Sequence, residues 1–84
     1  MNITAVESTT LATVGYDDSL RMLQLEFRNR AIYQYFGVLA PVHEGLLDAP
    51  SKGKYFNRVI RGHFPYRLIL NPETGGYGEA EGAR

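Results

Sequence analysis

The sequence contains no cysteine and no tryptophan, and its nine basic and nine acidic side chains leave no formal net charge. Without cysteine there is no disulfide framework, no thiol nucleophile and no cysteine-based metal site, and two histidines alone do not complete a zinc site. The chain also lacks the roughly eighteen consecutive apolar residues of a membrane span and the basic, then apolar, start of a secretory signal. We therefore expect a cytoplasmic protein with no membrane contact, no metal and no cofactor.

The length of 84 residues and the pattern of apolar residues predict one small α+β domain. Three strands, over residues 10–16, 20–27 and 31–36, are separated by turn-forming segments and predict an antiparallel three-stranded meander. In the second of these strands, Leu23, Leu25 and Phe27 recur at every other position and predict one buried face. In the turn at 28–30, Asn29 is the residue expected to adopt a positive φ.

Two short helices are predicted after this meander. Pro41 suits the first turn of a helix over residues 41–49, and Ser51 is placed to cap a second helix over 52–61 that ends at Gly62. Residues 66–70 predict a fourth strand at the sheet edge. Residues 1–70 then form a single domain, and residues 71–84, which hold four of the nine glycines, predict a disordered tail.

The second predicted helix separates basic from apolar side chains. At about 100° per residue, Lys54, Arg58 and Arg61 share one narrow stripe, whereas Phe56 and Ile60 fall on the buried face. Residues 1–50 hold three cations and six anions, while residues 51–70 hold five cations and no anion. Such a stripe either is solvated surface or contacts the phosphates of a polyanion, in which case Lys52 and Arg67 would extend it.

Tyr33 and Tyr35 alternate with Gln34 on one face of the third predicted strand. Tyrosines in this arrangement either stack on unpaired bases or lie half-buried beneath a helix with their hydroxyls at the rim. Tyr66, which follows the basic helix, is a third candidate for base stacking.

The sequence carries no catalytic spacing. His43 with Glu44, and His63, would be the acid–base groups of a metal-independent ribonuclease, with Lys54 or Arg58 stabilising an anion. Nothing in the sequence brings the two histidines together, and Ser51 is explained as a helix cap. We therefore expect a protein that is not an enzyme and has no catalytic residues.

Several short motifs in a fixed order carry a resemblance to a known family. They are Gly15-Tyr16-Asp17, Leu25-Glu26-Phe27, Tyr33-Gln34-Tyr35, Ser51-Lys52-Gly53-Lys54-Tyr55-Phe56-Asn57 and Phe64-Pro65-Tyr66. Together they resemble the KTSC domain, over about residues 5–69. The segment Arg28-Asn29-Arg30 departs from the pattern, since glycine is more usual in that turn.

This resemblance implies a domain found at the C-terminus of some lysyl-tRNA synthetases and as a free-standing small bacterial or phage protein. It also implies RNA binding, and it transfers no catalytic residue. The predicted function is a non-catalytic module that binds RNA or single-stranded nucleic acid; the alternatives are a protein-interaction or oligomerisation module and, third, a small ribonuclease. The residues predicted to bind nucleic acid are Lys52, Lys54, Arg58, Arg61 and Arg67 at phosphates, with Tyr33, Tyr35 and Tyr66 at bases.

Overall fold

The computed structural model describes residues 1–72, which form a five-stranded antiparallel sheet and two helices. Strands that are consecutive in sequence are also neighbours in the sheet. The strands are β1 (Asn2–Ala5), β2 (Leu11–Asp17), β3 (Met22–Phe27), β4 (Ile32–Phe36) and β5 (Tyr66–Leu70).

Both helices lie between β4 and β5. Helix α1 spans Ala40–Asp48, with Pro41 in its first turn, and helix α2 spans Lys52–Tyr55 and continues directly as a π-helical turn over Phe56–Ile60. Ser51 caps α2 as predicted, because its hydroxyl accepts a hydrogen bond from the Lys54 backbone amide at 3.3 Å. The starts of both helices lie within one residue of the predicted positions.

The α+β class is confirmed, but the three-stranded meander with one further edge strand was too small by one strand. The expected edge strand at 66–70 is present as β5, and the strand that sequence analysis missed is β1. The segment Asn2-Ile3-Thr4-Ala5 alternates polar and apolar residues over four positions only, and all four side chains are exposed, so β1 buries no face of its own; it is held by its pairing with β2. The predicted tail, residues 71–84, lies outside the described residues except for residues 71 and 72.

The core lies between one face of the sheet and the helices. Leu23 and Leu25 of β3 pack in one buried cluster with Leu46 of α1 and Ile60 of the π turn, and all four are fully buried. Burying a side chain of this size contributes about 1.5–3 kcal/mol, so these positions dominate the packing. The opposite sheet face is more polar and carries a 2.9 Å hydrogen bond from Gln34 to Gln24.

In the turn between β3 and β4, the residue with the positive φ is not the predicted one. Arg30, rather than Asn29, has the positive φ, at 79°. The loop has three residues, and Arg30 N donates a 2.9 Å hydrogen bond to Phe27 O, a geometry that places the third loop residue in the left-handed region. Asn29 instead accepts a 3.0 Å hydrogen bond from Ala31 N through its side-chain Oδ1.

The start of α2 lies directly against the start of β2. A Cβ atom at Gly53 would lie 3.3 Å from Thr10 Cβ and closer still to the Thr10 hydroxyl. Glycine is therefore required for this approach of the helix to the sheet.

Candidate functional site

A cleft of about 410 Å³ opens where the end of the π turn faces β4 and β5. We call it the tyrosine cleft, because three tyrosines contribute to its walls. The residues that line it are Phe27, Asn29, Ala31, Tyr33, Tyr35, Phe56, Arg61, Gly62 and Tyr66.

The three tyrosines are brought together by strand geometry. Tyr33 and Tyr35 lie on the same face of β4 because side chains two residues apart share a face, and Tyr66 is the β5 residue paired with Tyr35. The ring centroid of Tyr66 lies 5.6 Å from those of both Tyr33 and Tyr35. Phe56 of the π turn packs edge-on against Tyr35 at 5.9 Å, which fixes the base of the cleft.

Tyr35 is the most buried of these tyrosines, with 5% of its surface exposed. Its hydroxyl makes no hydrogen bond to another residue of the described range 1–72. By contrast, the hydroxyls of Tyr16 and Tyr55 donate to the backbone carbonyls of Val38 and Val42, at 2.6 and 3.0 Å. Burial raises the pKa of Tyr35 above its usual range, Tyr33 and Tyr66 raise it further, and Arg61 opposes them. Tyr35 therefore offers an uncharged, unpartnered donor.

Arg61 reaches this cleft because the helix changes its winding before it. The Arg61 amide donates to Phe56 O at 2.8 Å, an i to i−5 bond, and Arg61 itself is extended, with φ −64° and ψ 125°. The side chain is exposed, and its Nη1 lies 3.4 Å from Asn57 Oδ1. One guanidinium thus lies at the rim of an aromatic cleft.

Lys54 and Arg58 line a different cleft, of about 440 Å³, between α1 and α2. We call it the helix cleft; it also includes Asp48 and Tyr55. The predicted stripe of three cations is therefore divided between two clefts. The helical projection assumed a uniform α-helix through residue 61, whereas the π turn and the extended conformation of Arg61 change its direction.

Two further predicted cations lie away from the tyrosine cleft. The Lys52 Nζ donates hydrogen bonds to Leu47 O at 3.1 Å and Ala49 O at 2.9 Å, so its ammonium caps the end of α1. Arg67 pairs with Gln34, whereas Tyr66 pairs with Tyr35, so Arg67 lies on the opposite face of the sheet.

Neither histidine lines either cleft. The His43 ring stacks on Tyr16 with centroids 4.6 Å apart, and burial lowers its pKa. His63 is exposed in the segment after Gly62, and no hydrogen bond or ring contact joins the two histidines. Within residues 1–72, no group of three or more potential ligands could hold a metal ion, and no helix is long and apolar enough to cross a membrane.

Phe27, Phe56 and Asn29 also line the cleft, although none of them was among the predicted site residues. Phe27 was recognised as facing the core with Leu23 and Leu25, and Phe56 as part of the buried helix face. Their contact, with ring centroids 5.3 Å apart, depends on how the helix crosses the sheet. The signal available in the sequence was alternation along two strands, which places Phe27 of β3 and Tyr33 of β4 on the same face of the sheet. Their rings pack edge-on, with centroids 5.7 Å apart.

Comparison with known proteins agrees with this fold. The sequence model of the KTSC domain matches residues 7–64, and the chain therefore belongs to the KTSC domain family, as the motifs predicted. The crystal structure of a KTSC domain protein from Yersinia pestis is similar, with a TM-score of 0.79 and 40% identity, over 81% of this chain and 96% of that one. Strands β1 and β5 lie outside the residues that the family model matches.

Relatives carry this domain in two settings. A lysine–tRNA ligase from Nostoc sp. is 42% identical over 63 residues, which are 75% of this chain but 11% of the ligase. An uncharacterised protein from Stutzerimonas stutzeri is 37% identical over 70 residues, which are 82% of this chain and 99% of that protein. The chain thus spans about a tenth of the ligase's length.

Proposed function

We propose that this KTSC domain is a non-catalytic module that binds single-stranded nucleic acid, RNA in particular. The observation that carries the proposal is the tyrosine cleft, in which aromatic rings and the exposed guanidinium of Arg61 share one opening. Single-strand binding surfaces combine these two groups, since aromatic rings stack on bases and cations contact the phosphates between them.

The charge distribution supports the same function. Lys54 and Arg58 are exposed one turn apart on α2 and the π turn, where they line the helix cleft, so the segment that carries Arg61 presents cations at both clefts. The segment 51–70 holds five cations and no anion, so it is locally positive although the whole chain has no formal net charge. The lysine–tRNA ligase relative supports the choice of RNA, because its name describes an enzyme that acts on one.

Salt dependence of binding tests the proposal. The dissociation constant of the full chain for a fluorescently labelled, unstructured RNA of about ten nucleotides is measured between 50 and 300 mM salt, a range over which phosphate contacts weaken strongly. Each phosphate neutralised contributes a slope of about −0.7 in log affinity against log salt. The variant with Lys54→Gln, Arg58→Gln and Arg61→Gln is expected to bind more weakly, with a slope shallower by about 2.

Arg21→Gln is the matched control. Arg21 is exposed in the turn between β2 and β3, at the opposite end of the sheet from the turn that contributes Asn29. It removes a positive charge without changing the tyrosine cleft, so its affinity and slope are expected to equal those of the wild type. A loss of affinity in Arg21→Gln equal to that in the single variant Arg61→Gln, which also removes one charge, would contradict the proposed surface, since it would show an effect of overall charge only.

A protein-interaction function is the second candidate, and β1 is the observation that favours it. This strand lies at the edge of the sheet with all four side chains exposed, and edge strands pair with strands of other chains. A concentration-dependent dimer in light scattering, combined with no RNA binding at 50 mM salt, would favour this function over the first.

A further inference from the structure

We infer that the tyrosine cleft receives one unpaired nucleobase, and that the Tyr35 hydroxyl donates a hydrogen bond to an acceptor atom on the edge of that base. This inference rests on the proposed binding of single-stranded nucleic acid and names what the cleft itself recognises. It assigns to Tyr35 a role in selecting unpaired strands, in addition to its packing role.

The Tyr35 hydroxyl is a hydrogen-bond donor that faces the tyrosine cleft. The Tyr35 ring is buried by its aromatic neighbours, whereas its hydroxyl has no partner among residues 1–72. Within these residues no buried side-chain oxygen or nitrogen lacks a partner, so this hydroxyl is not buried but accessible, and the residue lines the cleft. A ligand with an acceptor atom would satisfy this donor when it enters.

The walls of the cleft are largely aromatic. The rings of Tyr33, Phe56 and Tyr66 contact the ring of Tyr35, and Phe27 packs edge-on against Tyr33 and Phe56. The cleft therefore suits a flat ligand with extensive apolar faces. Its volume of about 410 Å³ falls in the range of about 300–1,000 Å³ that is typical of small-molecule sites. A nucleobase is flat and carries ring nitrogen and carbonyl acceptors at its edge, and it is accessible in this way only when it is unpaired.

The tyrosine cleft carries a positive charge at its rim. The described residues that line the cleft include the guanidinium of Arg61 and no carboxylate. Because Arg61 is exposed at the rim rather than buried at the base, it suits the phosphate that adjoins an inserted base. The neutral donor thus lies within the cleft and the cation at its rim, which matches the order of base and phosphate in a nucleotide.

The test removes one hydroxyl and keeps the ring. Tyr35→Phe is compared with Tyr16→Phe, which removes a hydroxyl that bonds to Val38 O at 2.6 Å and lines neither the tyrosine cleft nor the helix cleft. Affinity is measured for a single-stranded RNA containing one 2-aminopurine, whose fluorescence reports stacking, and for the same RNA paired with its complement. Thermal unfolding of each variant is followed by circular dichroism.

The two variants are expected to behave in opposite ways. Tyr35→Phe lowers the affinity for the single strand about five- to tenfold, the effect of one hydrogen bond, and leaves the melting temperature unchanged or higher because no protein bond is lost. Tyr16→Phe lowers the melting temperature and leaves the affinity unchanged. Tyr66→Leu, which removes a half-buried ring of the cleft, reduces the quenching of 2-aminopurine and serves as a second variant.

The outcomes separate this inference from the proposed function. If Tyr35→Phe binds the single strand as well as the wild type while the triple charge variant loses affinity, the base site is wrong and the RNA-binding function stands. If Tyr35→Phe weakens binding to single strand and duplex equally, recognition of an unpaired base is also wrong. If the wild type binds no RNA at 50 mM salt, both fail together.

Discussion

The ring of Tyr55 in α2 lies directly over Gly45 in α1. A Cβ atom at Gly45 would lie 2.9 Å from Tyr55 Cζ, and the Tyr55 hydroxyl donates a 3.0 Å hydrogen bond to Val42 O, three residues earlier in the same helix. By helix propensity alone, glycine at position 45 would only weaken α1. In the structure, its missing side chain is what allows the two helices to approach.

Gly45→Ala is expected to lower the free energy of unfolding by about 1 kcal/mol. Overpacking against Tyr55 costs about 1–3 kcal/mol, and the better helix propensity of alanine returns about 1 kcal/mol. In a Tyr55→Ala background the same substitution is expected to be stabilising, because only the propensity term is left. Urea denaturation of all four proteins of this cycle provides the measurement, and simple additivity of the two substitutions would contradict the contact.

Arg30→Gly is expected to stabilise the domain by about 0.5–1 kcal/mol. A left-handed conformation costs a residue with a side chain about 1–2 kcal/mol, and part of this gain is lost to the greater freedom of glycine in the unfolded chain. Asn29→Gly is the control in the same turn, and it is expected to destabilise because Ala31 N loses its acceptor. Thermal or urea unfolding checks the opposite signs; stabilisation by both substitutions would contradict the assignment of the positive φ to Arg30.

The stability of the domain is expected to fall between pH 7.5 and pH 5.5 through His43. Burial against Tyr16 lowers the pKa of His43 below its usual 6.5, while Glu44 opposes this effect. The unfolded chain therefore binds a proton at a pH where the folded chain does not, so stability is fully present above the usual value and decreases as the pH falls through it.

Melting temperatures of the wild type and His43→Gln across this range check the prediction. The dependence on pH is expected to become weaker in His43→Gln and to persist in His63→Gln, which removes an exposed histidine. An unchanged slope in His43→Gln would show that another group is responsible.

Lys52 and Lys54 are expected to have different roles although they are two residues apart. Lys52→Met removes both hydrogen bonds to the end of α1 and is expected to cost about 1–2 kcal/mol of stability without changing RNA affinity. Lys54 is exposed, so Lys54→Met is expected to change stability by less than about 0.5 kcal/mol and to weaken RNA binding. Urea denaturation and RNA affinity, measured on the same samples of both variants, test the predicted loss of stability in Lys52→Met and the predicted loss of affinity in Lys54→Met.

The local signals in the sequence were sufficient for most of the fold. Alternation of Leu23, Leu25 and Phe27 identified the central strand, and Pro41 and Ser51 marked the helix starts, because these features depend on nearby residues alone. Strand β1 was missed because its alternation covers only four residues, the shortest length at which the pattern indicates a strand, and none of its side chains is buried. The position of Arg30 in the turn depended on loop length, which the composition of the turn left undetermined.

The candidate site was predictable only in part, because it depends on how elements that are distant in sequence pack together. Alternation placed Tyr33 and Tyr35 on one face, but whether a helix covers them depends on how the chain returns after β4. The separation of Arg61 from Lys54 and Arg58 arises from a π turn, and no residue pattern in a helical projection distinguishes i to i−5 from i to i−4 bonding.

The close contact between Gly53 and Thr10 affects the width of the tyrosine cleft. A methyl group there would push the start of α2 away from Thr10, and the helix continues without a break into the π turn that ends beside Arg61. We therefore expect Gly53→Ala, although it lies outside the tyrosine cleft, to alter the position of Arg61 relative to the tyrosine rings. The width of the cleft would then depend on a contact at the opposite end of the helix.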